Sequence, residues 1–172
     1  IIDGVVYSKV GAVWQDVTAF LPAGTIATAS FYDHRENKTV ISTDVDISKL
    51  NTSGYFPPNG LIYSSDKRGT TYNVLRLKNG STLNNGLTVF SENPAYIKGN
   101  YNTVNKKPAA IVADAVTYLS NEWNDANSTL PLRTNRLVST TMQVNVSMIT
   151  GDRTPLATSY GGGLANLPRF ME

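Results

Sequence analysis

Short apolar runs separated by polar corners dominate the chain. Leu87-Thr88-Val89-Phe90 alternates as a strand, Ser91-Glu92-Asn93-Pro94 makes a corner, and Ala95-Tyr96-Ile97-Lys98 resumes as a second strand before Gly99-Asn100 turns again. Upstream, Val74-Leu75-Arg76-Leu77 runs into Lys78-Asn79-Gly80, and Thr82-Leu83 into Asn84-Asn85-Gly86. Downstream come Ala110–Leu119 and Met142–Ile149. Strands that meet at bends, at roughly coil-like spacing, predict a mainly β fold of the right-handed parallel β-helix or solenoid type. The alternative is an antiparallel β-sandwich with a short helix, because Asn79-Gly80 also suits a type I′ hairpin turn. Leu87, Val89, Ile97, Ile111, Val144 and Val146 are the expected inward positions.

Two segments read both ways. Val45–Leu50 begins as strand and ends as a helical turn, with apolar residues at 45, 47 and 50. Pro108–Trp123 carries a helical apolar face at Val112, Ala115, Val116, Leu119 and Trp123, but Val116-Thr117-Tyr118 favour strand. We read strand to about residue 119, then a turn.

Composition agrees with strands and polar turns. Asn and Thr fill about a fifth of the 172 positions, and Thr suits strands while Asn suits turns. The length fits one β-rich domain, 1–172, which we read as a piece of a longer protein because both ends fall in apolar sequence. Charged residues are 16% and the formal net charge is +2, so no strong field draws nucleic acid. No apolar run approaches a membrane span, and the absence of cysteine excludes disulfides and thiolate chemistry.

Candidate chemistry is sparse. Asp44 and Asp46 lie two apart, hence on one face of a strand, and paired carboxylates serve glycoside hydrolysis. Alternation with a polar outer face explains the pattern by itself and is the favoured reading. Asp114 sits inside the apolar run Ala113-Asp114-Ala115 and must find donors if buried. Asn124 and Asp125, after Asn121 and Glu122, supply oxygens that suit calcium, without the spacing of an EF-hand loop. His34 stands among Asp33, Arg35 and Glu36, which reads first as a solvated charged loop. Gly161-Gly162-Gly163 lacks the residues of a phosphate-binding loop. Five Asn-x-Ser/Thr sequons, at Asn37, Asn51, Asn79, Asn127 and Asn145, carry little weight in so Asn- and Ser/Thr-rich a chain.

Several stretches together resemble a bacterial family of large envelope proteins, some described as type IV pilus assembly or minor-pilin-like. They include Asn59-Gly60-Leu61-Ile62-Tyr63, Leu75–Gly80, Gly86–Pro94, Tyr96–Asn102, Lys107–Ala110, Asp114–Thr117, Leu119–Trp123 and the ending Tyr160–Glu172. The resemblance covers residues 31–172 and implies a β-rich extracytoplasmic module, at the cell surface or secreted. It transfers no catalytic residue. The leading expectation is therefore a non-enzymatic structural or adhesive module whose partners are other protein subunits or glycans. The alternative is a polysaccharide-active hydrolase or lyase, or a glycan-binding module, using Asp44, Asp46 or Asp114. Ile1–Tyr7, with one charge (Asp3) and no proline, is expected to pair with another chain by strand addition. The tail, with Leu164, Leu167, Phe170 and Met171, is expected to cap the apolar core.

Overall fold

The computed structural model describes residues 1–69, 72–131, 141–151 and 169–171. Two antiparallel pairings come first in the chain. Strands β1 (Tyr7–Val10) and β2 (Val13–Asp16) form a two-stranded hairpin, and β3 (Ile26–Asp33) folds back on β4 (Lys38–Asp46) over eight residue pairs, from Ile26↔Val45 to Asp33↔Lys38. The turn at the end of β3 is built by its own side chains: Asp33 accepts the backbone N–H groups of Arg35 and Glu36, and Asn37 adopts a left-handed conformation.

After β4 the chain makes one short helix, α1 (Ile47–Thr52), and then β5 (Leu61–Ser64), β6 (Tyr72–Lys78), β7 (Leu87–Ser91), β8 (Ala95–Lys98), β9 (Ala109–Ala113) and β10 (Val116–Leu119). The series ends with β11 (Ser147–Thr150) and β12 (Arg169–Phe170). These strands alternate between two sheets. One has the order β12-β10-β8-β6-β4-β3 and is parallel except for β3; the other has the order β11-β9-β7-β5 and is parallel throughout.

The closed right-handed parallel β-helix expected from the sequence is thereby corrected, and so is the antiparallel sandwich. The described residues form a mixed architecture of parallel and antiparallel sheets with few helices, and the two large sheets are open rather than closed into a solenoid. The physical reason lies in the first third of the chain. Local turn chemistry at residues 33–37 and at Gly11-Ala12 favours folding back on the spot, which gives antiparallel pairs instead of parallel coils there. The corner spacing after residue 60 carried the parallel pairing correctly but says nothing about closure.

Asn79-Gly80 does not make a hairpin. Asn79 takes a left-handed φ of 56°, and Gly80 lies under the Tyr101 ring, where an added Cβ would come within 2.5 Å of a ring carbon. The chain therefore crosses to the other sheet. The ambiguous segment Pro108–Trp123 is two strands, broken at Asp114-Ala115, followed by a 3-10 turn at Asp125–Asn127. Val45–Leu50 passes from strand into α1, whose first turn is capped by Asp46 accepting the Lys49 N–H.

Alternation gives each sheet an inner face. Val45, Leu75, Leu77, Ile97 and Val116 meet Ile62, Leu87, Val89 and Ile111 in the main core. Val144 and Val146 only pack against its rim, half-buried, and Val144 joins Tyr101 through a single bridge. The other face of the six-stranded sheet is also buried, under a second core of Phe31, Val40, Val74, Tyr96, Leu119, Trp123 and Met171. Phe31 meets Tyr96 and Trp123 edge-on, at 5.3 and 5.9 Å between ring centroids. Among the described residues no helix is long and apolar enough to cross a membrane.

Candidate functional site

The second core contains the most concentrated ionisable chemistry of the described residues. Parallel register sets it up: Asp44 on β4 is the direct neighbour of Arg76 on β6, and Arg76 of Tyr96 on β8. Arg76 is 3% exposed. Its Nε and Nη2 donate to the two oxygens of Asp44 at 2.8 and 2.7 Å, and its Nη1 and Nη2 donate to those of Asp125 at 2.6 and 3.0 Å. Two forked carboxylates thus grip one guanidinium, which also lies 5.0 Å from the centre of the Phe31 ring. The Trp123 indole N–H donates to Asp125 at 2.8 Å, and Asn124 caps the 3-10 turn by accepting the Ala126 N–H.

The electrostatics follow the geometry. Burial alone would lower the pKa of Arg76, but hydrogen bonds and charge from Asp125 and Asp44 outweigh it and raise the value. Burial would likewise raise Asp125; Arg76 beside it, with help from Trp123, holds its carboxyl below the usual range. Two residues along, on the same face, Lys78 and Lys98 are register neighbours. Lys78 reaches Asp44 at 3.4 Å, whereas partial burial, then the charge of Arg76, lowers the pKa of Lys98.

Asp46, on the same strand face, caps α1 with one oxygen and accepts the Asn79 amide with the other at 2.7 Å. The expectation of a polar outer face for Asp44 and Asp46 does not hold: both are buried, Asp44 beneath the face where Trp123 and Met171 pack and where Asp125 shares its Arg76 partner. Asp114 belongs elsewhere. It is half-buried between β9 and β10, its carbonyl accepts the Gly151 N–H, and its charge acts on the Tyr72 hydroxyl. Burial first, then Glu36 and Asp114, push that hydroxyl up, while Arg169 opposes them. His34 donates from Nε2 to the Ser128 carbonyl at 2.9 Å and stands edge-on to Tyr32. Asp33 is buried and bound to the Tyr96 hydroxyl. Gly161–Gly163 and the tail residues Leu164 and Leu167 lie outside the described residues.

The structure therefore brings Asp44 together with Asp125, two residues considered separately in sequence, and leaves Asp114 apart. What lies between the two carboxylates is the Arg76 guanidinium, bonded to both. Both oxygens of Asp125 already accept hydrogen bonds, and Asn124 uses its oxygen as a cap, so a cation at this pair would displace existing partners. Among the described residues no group of three or more His, Asp or Glu converges as a metal-ligand set. Arg76 itself was missed in the sequence, though it had a signal: one charge inside the apolar run Val74-Leu75-Arg76-Leu77 must find buried partners.

A different feature occupies the end of the stack near β5. A cavity of about 750 Å³ lies under the β1–β2 hairpin, lined chiefly by apolar residues such as Ile2, Val6, Val17, Leu50, Pro57 and Ile62. Around it the aromatic residues Tyr7, Trp14 and Tyr63 are exposed, and Tyr63 stacks on Phe90 at 5.7 Å with the rings 12° from parallel. The Tyr63 hydroxyl donates to Glu92 at 2.5 Å. Hydrogen bonds from Tyr63, Ser65 and Lys67 bring the Glu92 pKa down to about 2.

Comparison with known proteins finds no match, whether among family models, curated proteins or solved structures.

Proposed function

We propose that the chain is a non-enzymatic structural or adhesive module of a bacterial cell-surface or type IV pilus-associated protein, working outside the cytoplasm. One observation carries the non-enzymatic part: Asp44 and Asp125 are both used up on the buried Arg76. A glycoside hydrolase that works through two carboxylates needs them free to change partner or protonation during a cycle, whereas these fasten a covering segment to a sheet. The setting rests on the resemblance of residues 31–172 to envelope proteins. Its partners would be other protein subunits, with glycans at the exposed aromatic residues around Tyr63 and Trp14.

The test is to incubate the purified chain with a panel of bacterial polysaccharides and cell-wall preparations, following both co-sedimentation and release of reducing ends. Binding without turnover is expected. Steady release of product that Asp44→Asn or Asp125→Asn abolishes, with the far-ultraviolet spectrum unchanged, would overturn the reading in favour of a polysaccharide-active enzyme.

A further inference from the structure

Every sheet edge is a row of backbone donors and acceptors that needs a partner, a cover or a deterrent. The edges among the described residues are treated differently. That of β5 is taken by the first residues of the chain itself: the Ile1 amino group donates to the Tyr63 carbonyl, Ser65 donates to the Ile1 carbonyl, and Asp3 donates to Ser65. Of the segment Ile1–Tyr7, expected to pair with another chain, Ile1 and Asp3 thus already pair within their own. On β3, Tyr32 donates to the Ser128 hydroxyl and the strand is flanked by the 3-10 turn at Asp125–Asn127.

Strand β2 is the contrast. It pairs only with β1, its four residues Val13, Trp14, Gln15 and Asp16 are all exposed, and Trp14 is 65% exposed. The Val17 N–H bonds the Val6 carbonyl, so Val17 and, by alternation, Gln15 turn their backbone groups toward β1. Trp14 and Asp16 therefore turn theirs outward. No proline or lysine stands on this edge, and its single charge, Asp16, is at the end.

We infer that β2 is a self-pairing edge, and that its occupant is β2 of a second copy of this chain, antiparallel across a twofold axis. The choice of a second copy follows from register and charge. With Gln15 on the axis, Trp14 of each copy faces Asp16 of the other, and the outward groups of these residues close both pairs. On the shared face each row across the four strands then reads Lys9, Trp14, the second copy's Asp16 and its Tyr7, since Lys9 neighbours Trp14 and Tyr7 neighbours Asp16 within one hairpin. No like charges face each other, and each tryptophan is covered between a lysine stem and an aspartate. A twofold contact needs such self-complementarity. Self-pairing of β2 deepens the structural role proposed above and rests on it.

The native chain has no cysteine, which makes cross-linking clean. Axis residues of an antiparallel non-hydrogen-bonded pair have Cα atoms about 4.5 Å apart, within disulfide range, so Gln15→Cys should form interchain disulfides on mild oxidation. Ser8→Cys, on the inner strand opposite Gln15, should not. Sedimentation of the unmodified chain over a concentration series should show a monomer–dimer equilibrium. Trp14→Pro, which removes an outward donor, and Trp14→Lys should each weaken the dimer by on the order of tenfold or more, with the melting curve retained. A monomer at all concentrations, or a dimer that both Trp14 variants leave intact and that cross-links equally through Gln15→Cys and Ser8→Cys, would overturn the assignment. Either result leaves the polysaccharide assays free to judge the non-enzymatic reading separately.

Discussion

Arg76 is the residue on which the second core depends. Its guanidinium is the main partner of the buried Asp44, so Arg76→Met should leave that carboxylate with only the Ser42 hydroxyl and Lys78 at 3.4 Å, and cost about 3 kcal/mol in urea unfolding. Replacing Arg76 and Asp44 together by apolar residues of similar volume should cost much less, because desolvation of both charges is then avoided. Asp125 is the more exposed of the two carboxylates. Its lowered pKa means that its pairing is fully present above the ordinary aspartate value of about 4 and is lost as the pH falls from there through the folded value. The melting temperature should therefore hold between roughly pH 7 and 5 and drop below about pH 4, and Asp125→Asn should start lower and fall less steeply. At this scale the sequence was partly legible. Asp44 and Asp125 were visible as candidates, but their common partner was not, because strand register decides who sits beside whom and register is a property of corners many residues away.

At the scale of elements, the corners do most of the specifying. Asn93 bonds across one corner to both the N–H and the carbonyl of Asp66, and Asn102 donates its amide to the carbonyls of Lys107 and Asn145. This is why an Asn-rich chain forms ordered turns. Gly60 shows how close the corners approach: its φ is +67° and an added Cβ would lie 2.5 Å from the Gly86 carbonyl oxygen. Gly60→Ala combines left-handed strain with a backbone clash and should destabilise by about 1–3 kcal/mol or more, read as a lowered melting temperature. The strands at Leu87–Ser91 and Ala95–Lys98 were readable from alternation and from Pro94. The fold-back of β3 on β4 was not, since the polar run Asp33–Asn37 reads as an ordinary loop until Asp33 is seen to organise it.

The whole molecule is held together across the outer face as much as through its middle. Met171, fully buried in the second core, and Arg169, which bonds Glu36 at 2.8 Å, connect the last described strand to the β3–β4 turn, and Arg35 adds a bond to the Phe170 carbonyl. The tail was expected to cover a coil end; its described part instead helps to seal a sheet face. Met171→Ala should cost about 2–5 kcal/mol. Deleting 167–172 should lower the melting temperature by several degrees at about 2–4 °C per kcal/mol, and an unchanged curve would remove the tail from the core. The second core, which the sequence did not announce, takes Phe31 from β3, whose pairing with β4 is the longest antiparallel match among the described residues.

That same hairpin sets the order in which the protein can form. Parallel neighbours such as β4 and β6 pair residues 32 apart, Val40 with Tyr72, whereas the inner pair of the β3–β4 hairpin, Asp33 with Lys38, is only five apart. Closing a short loop loses less chain entropy, so within the six-stranded sheet this hairpin is the natural nucleus and the free side of β4 the template for the strands that follow. Pulse-labelling during refolding should find the amides of β4 protected before those of β8 and β10. A chain emerging from its amino-terminal end would meet its template first and then add one strand to each sheet in turn, so assembly has a direction written into it.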